Sequence, residues 1–224
     1  MVEMIDLAIE RSDVCRYLGY RSGDTPSASI ASLIDECIAK SLPLLRPAFS
    51  HVTRDVRSVE GRISLLDDGS RFESDVVARL LEQCDKVAVY VSTIGSHIED
   101  MSSALAEDGY ITESYVVDSI GSSATEKLSE AMHQRIAEEA AGLGLCVSRR
   151  FSPGYCDWNI DQQSVVFSIA EGGSAGVQLT SGSLMLPRKS SSGIIGIGRC
   201  DSQVETYNPC ITCNKAVCPG RRQI

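Results

Sequence analysis

The sequence predicts an α+β fold, a single domain with a mixed or antiparallel sheet flanked by helices. Three observations carry this expectation. Strand-like alternation around Glu60-Gly61 comes early, long helical periodicities fill the middle, and short apolar runs return after Leu143. That order suits strands and helices segregated in sequence better than the alternating units of a doubly wound sheet.

In chain order, Ile5, Leu7 and Ile9 alternate as a short strand would, and a helix through Val14 and Leu18 stops at Gly19. RSGDTPSAS is a loop. Ser27 to Leu44 places Ile30, Leu33, Ile34, Cys37, Ile38 and Leu42 at helical spacing and ends at the prolines 43 and 47. Phe49 to Leu66 reads as two strands, Ser74 to Cys84 as a helix, and KVAVYVSTIG (Lys86 to Gly95) as a buried strand entering a glycine turn. A helix over Ser96 to Glu107 precedes a longer one from Thr112 to Ala141, whose apolar positions include Val116, Ile120, Ala124, Leu128, Ala131 and Ile136. Strands are expected at Leu143 to Val147, Val177 to Leu179 and Leu184 to Leu186, with a helix near Asp161 to Ala170.

The chain has 224 residues, enough for one substantial core, and a formal net charge of −9. Such an acidic balance opposes general affinity for nucleic acid or anionic membrane, so protein and small-molecule partners are expected. The first fifteen residues carry Glu3 and Asp6 and no long apolar core, and no run approaches a membrane span, which reads as a cytoplasmic protein. Nine cysteines are an odd count, against a full disulfide framework. Cys15, Cys37, Cys84, Cys146 and Cys156 are scattered and are expected as small buried hydrophobes, while Cys200, Cys210, Cys213 and Cys218 crowd the end.

Chemistry concentrates between Arg149 and Ile197, in two segments read as constrained loops. RFSPGY (Arg150 to Tyr155) follows an apolar strand, so a cation is delivered into a turn where Pro153 fixes φ and Gly154 lets the backbone close on a ligand. KSSSGIIG (Lys189 to Gly196) is the second. On these two segments, and on the helix sequence SSATEKLSEAMHQRI, the chain resembles the activation (reactivation) domain of cobalamin-dependent methionine synthase in a stand-alone form. The resemblance covers most of the chain and is strongest from Ser122 to Gly196.

That resemblance implies a binding site for S-adenosylmethionine. Arg150 would hold the ligand carboxylate through two parallel hydrogen bonds, and the backbone from Ser152 to Gly154 would pair with polar edges. Tyr155 would wall the site, Glu126 would receive the ammonium, and Ser192 and Gly193 would lie near the corrin. Taken alone, Glu126 reads as a solvated helix residue and the Pro-Gly-Tyr turn as a packing feature. His51, His97 and His133 have no ligand-like spacing and read as structural.

The family's reaction is the reductive methylation of cob(II)alamin by S-adenosylmethionine, which requires positioning and exclusion of water and no side-chain acid or base. No Asp-x-His-x-x-Gly corrinoid pattern and no Gly-Gly-Cys-Cys zinc pattern occurs. Cobalamin is therefore expected on a partner, a separate methionine synthase chain or a related corrinoid protein, with a reductant such as flavodoxin or ferredoxin. Two departures stand out. The turn continues CDWNIDQQ, and Ile194 and Ile195 stand where the long form of the family places an aromatic. The competing expectation is a corrinoid-protein interaction module without turnover.

Cys210-x2-Cys213-x4-Cys218, with Cys200 upstream, forms a compact thiolate set suited to zinc or an iron–sulfur cluster. Its bland alternative is a tail of free thiols. The expected organisation is thus 1–198 as the activation-like domain and 199–224 as a cysteine-rich tail. GIIGIG (Gly193 to Gly198) lacks the glycine order of a dinucleotide fingerprint.

Overall fold

The structure is a computed structural model that describes residues 7–21 and 23–211. It is α+β, and its described residues include six α-helices and a six-stranded sheet. The chain divides into two compact units, each built from three separate segments. The first comprises Met1–Ser50, Val91–Met132 and Gly172–Ser191, and the second His51–Tyr90, His133–Glu171 and Ser192–Ile224.

In the first unit, α1 (Arg11–Tyr17), α2 (Ala28–Ser41) and α4 (His97–Glu107) accompany most of α5 (Ile111–Ala141). Ser27 caps α2 by accepting a hydrogen bond from the Ile30 N–H. Of the apolar positions read along α2 and α5, Ile34, Cys37, Val116, Ile120, Ala124 and Leu128 share one core with Val14, Ile98 and Val117, while Ile30, Leu33 and Ile38 pack against it partly buried and Leu42 is exposed. Gly121 gives α5 a gap in this surface. A Cβ there would stand 2.9 Å from Ile98 Cγ2 and 3.1 Å from Lys189 Cε. Lys189 crosses that gap to donate to Ser122 Oγ at 2.8 Å and to pair with Asp118 at 2.9 Å.

The second unit holds most of the sheet, ordered β3-β2-β1-β4-β8-β5, where β1 is Ala48–Glu60, β2 Ile63–Leu66, β3 Arg71–Glu73, β4 Lys86–Thr93, β5 Leu145–Phe151 and β8 Ser190–Arg199. Neighbouring strands are antiparallel, as the pairs Glu60↔Ile63, Leu65↔Arg71 and Leu145↔Arg199 show. Strand β4 is buried along nearly its whole length, which explains its continuous apolar run. α3 (Asp75–Leu81) and α6 (Gln163–Ile169) complete the regular elements of this unit, while β6 (Gln178–Leu179) and β7 (Met185–Leu186) pair in a small ladder of the first.

Several expectations change. Leu7 and Ile9 are buried but lie in irregular backbone, not a strand, and Ile5 falls outside the described residues. The helix begun at Ser27 ends at Ser41, and Leu42–Leu44 forms a 3-10 turn around Pro43. Strand β3 has three residues and one buried side chain, Phe72, too short for alternation to register. The largest change is β8. The sequence predicts a loop over Lys189 to Gly196, yet Ser190–Arg199 is a strand buried from Ser192 to Gly198. Its glycines are sites of close approach. A Cβ at Gly193 would lie 2.1 Å from the Phe151 carbonyl oxygen, at Gly196 2.6 Å from Cys84 Sγ, and at Gly198 2.4 Å from the Gln83 carbonyl oxygen.

Candidate functional site

Arg150 is the penultimate residue of β5, and Ser152 to Tyr155 form the turn that leaves the strand. The turn is closed by its own backbone: the Tyr155 N–H donates to the Ser152 carbonyl at 3.3 Å, the Trp158 N–H to Tyr155 at 3.0 Å, and the Gly154 N–H to Trp158 at 2.8 Å. Gly154 sits at φ +90°, which a side chain would strain. Pro153 is buried, Arg150 and Ser152 are half-buried, and the Tyr155 ring is 63% exposed.

The residues from Asp157 to Gln162 anchor this turn. Trp158 is buried edge-on against Phe72, with ring centroids 5.4 Å apart, and its Nε1–H donates to Gln162 Oε1 at 2.8 Å. The same oxygen accepts from the Glu73 N–H at 2.9 Å, and Gln162 Nε2 donates to the Glu73 carbonyl at 3.2 Å. Asp157 accepts from Ser74 Oγ at 2.7 Å and from the N–H groups of Asp75 at 2.6 Å and Val76 at 3.3 Å, so it closes the start of α3. Burial pushes the Asp157 carboxyl up, but these hydrogen bonds outweigh it and hold the group below its ordinary value. Thus CDWNIDQQ, in sequence a departure from the family's long form that stands closer to the Gly-Asp-Trp-Pro form of its shorter stand-alone relatives, fastens the turn to β3 and α3. Its signal in the sequence was the chain's single tryptophan beside an aspartate.

The structure brings Ser152 and Gly193 together. Arg150 pairs with Ile195 and Phe151 with Ile194, which sets Gly193 against the Phe151 carbonyl, and a Cβ there would also stand 2.9 Å from Ser152 Oγ. Ser192 and Gly193 are buried within β8, as are Ile194 and Ile195. Glu126 is half-buried on the part of α5 that belongs to the first unit, where the Tyr17 hydroxyl is raised by burial and by the Glu126 charge.

No protein-family model and no curated protein matches the sequence. The fold, however, has a solved likeness. It is similar to the crystal structure of the MetH reactivation domain bound to AdoHcy, with a TM-score of 0.61 and 15% identity, over 85% of this chain and 70% of that one. At that identity the likeness is one of fold, and it agrees with the α+β architecture expected from the sequence.

The cysteines divide differently from their expected grouping. Cys15, Cys37 and Cys84 are buried and free, and burial pushes the Cys84 thiol up to about 12, so it is an inert core group. Cys156 is exposed, and Cys146 forms a disulfide with Cys200. Cys210 is half-buried, while Cys213 and Cys218 lie outside the described residues. Among the described residues no group of three His, Cys, Asp or Glu side chains is placed to hold a metal. No helix described is long and apolar enough to cross a membrane.

Proposed function

We propose that this chain binds S-adenosylmethionine and supports the reductive methylation of cob(II)alamin carried by a separate methionine synthase chain. The observation that carries the reading is the position of Arg150 as the penultimate residue of β5, two positions before a hydrogen-bonded Ser152–Tyr155 turn, in a fold similar to one solved with AdoHcy bound. A guanidinium there meets the requirement for a carboxylate receptor, and the turn offers backbone groups at fixed positions. Tyr155 supplies an exposed aromatic wall, and Glu126 is the anion assigned to the ammonium. The partner supplies the cobalt chemistry. This chain's residues bind, orient and exclude water, so none is assigned as acid or base. The setting proposed is cytoplasmic, with flavodoxin or ferredoxin as reductant and residues 1–198 as the functional domain.

Cys210, Cys213 and Cys218 remain the proposed metal ligands of the tail. Cys200 could join them only after its bond to Cys146 is reduced.

A second reading, a corrinoid-protein docking module without turnover, draws on one observation. Ile194 and Ile195, standing where an aromatic was expected, are wholly buried and offer a ligand no wall. Calorimetric titration with S-adenosylmethionine separates the readings. Saturable binding by the native chain, weakened at least about tenfold in Arg150→Ala with an unchanged thermal transition, supports the first. No heat with either protein sinks it and favours the docking module.

A further inference from the structure

Strand β5 carries one residue more than its partner. Val147 pairs with Ile197 and Arg150 with Ile195, so three steps on β5 match two on β8. The extra residue is a bulge at Ser148-Arg149. Directly paired residues share a face of the sheet, as do residues two apart on one strand, so Val147 and Arg150 lie on the face of Ile195 and Ile197. In a regular strand Val147 would share its face with Arg149. The bulge therefore decides which of two consecutive arginines takes that face, and the burial follows: Arg149 is exposed and Arg150 half-buried.

A bulge leaves ladder groups unpaired, and buried backbone groups need partners. Here side chains supply them. The Ser148 hydroxyl accepts from the buried Gly196 N–H at 2.8 Å and donates to the Arg149 carbonyl at 2.7 Å. His133 Nε2 lies 2.8 Å from the Ser148 carbonyl oxygen, which can only accept, so the Nε2–H is the donor. Ser148 is 1% exposed. The small hydroxyl and the ring nitrogen together satisfy the backbone of the irregularity.

We infer that Ser148 and His133 are positioning residues, which hold the β5 bulge and thereby select Arg150 rather than Arg149 as the ligand-facing cation. This rests on the reading of Arg150 as a carboxylate receptor.

The experiment has a ligand arm and a ligand-free arm. With AdoHcy as probe, Ser148→Ala and His133→Phe should each weaken binding about tenfold, while Ser148→Thr and His133→Gln, which keep a hydroxyl and an N–H donor, should stay within about threefold of native. In an Arg150→Lys background Ser148→Ala should cost less than about threefold more, since the cation it positions is already changed. Without ligand, exchange of the Gly196 amide measured by NMR should speed up about tenfold in Ser148→Ala and remain slow in Ser148→Thr. Native chain that fails to bind AdoHcy overturns the ligand reading. Native binding that Ser148→Ala and His133→Phe leave unchanged, or additive losses in the Arg150→Lys background, overturn the positioning role alone. Should Ser148→Ala fail to fold, the contrast between His133→Phe and His133→Gln decides the matter.

Discussion

At the scale of the residue, Gly193 shows how a position read as a ligand contact is first a packing requirement. Its Cα faces the Phe151 carbonyl so closely that an added Cβ would stand 2.1 Å from that oxygen. The obstacle is backbone, fixed by the Phe151↔Ile194 pairing, and cannot turn aside as a side-chain end could. Glycine-to-alanine changes at unstrained sites gain stability by restricting the unfolded chain, by at most about 1 kcal/mol. Here the clash should dominate: Gly193→Ala is expected to lose at least about 2 kcal/mol of unfolding free energy in urea. A variant as stable as the native chain would mean that β5 and β8 do not approach as described. Any loss of ligand in Gly193→Ala would thus report on the sheet, which leaves Arg150 as the cleaner probe of binding.

At the scale of the element, the α3 start and the turn after β5 are one structure joined through Asp157. Removing that carboxylate deprives the Ser74 hydroxyl and the Asp75 and Val76 N–H groups of an acceptor, and Asp157→Ala should cost about 1 kcal/mol at pH 7. The lowered carboxyl sets the sign of the pH dependence. A depressed folded-state value means that stabilisation is full above the unfolded value of about 3.9 and is lost as pH falls through the folded one. The gap between native and Asp157→Ala in unfolding free energy should therefore shrink between about pH 5 and the acid limit; a gap independent of pH would refute the cap. This link also shows what could be read from sequence. Helices α2, α4 and α5 were legible because their core-packed apolar residues recur at helical spacing, and strand β4 because its side chains are buried almost continuously, which gives an unbroken apolar run. Strand β8 was not, since Gly193, Gly196 and Gly198 carry the same letters as a turn, and only the neighbouring backbone reveals them as contact points. The Arg150 turn was legible from Pro153 and Gly154, whereas the bulge that aims Arg150 depends on register, which no local pattern encodes.

At the scale of the whole molecule, the chain passes between its two units at five points, four of them inside β1, β4, α5 and β8. Such boundaries differ from flexible linkers, and neither unit is a continuous fragment that could be excised. The Cys146–Cys200 bond acts on the same scale. It joins the start of β5 to the residue after β8, across a sequence separation of 54 that includes the Gly172–Ser191 segment of the first unit. Closing a loop of this length restricts the unfolded chain by about 4 kcal/mol in the chain-entropy account. The double variant Cys146→Ser with Cys200→Ser should lose stability of that order under non-reducing conditions. Reductant should lower the native chain towards the variant and leave the variant itself unmoved. Equal stability of both proteins without reductant would show the bond to be absent in solution, and would return Cys200 to the thiols available for a metal. With the bond present, metal loading at the proposed tail site should rise on reduction and depend on Cys210, because the disulfide and the proposed four-thiolate set would compete for the same Cys200 sulfur.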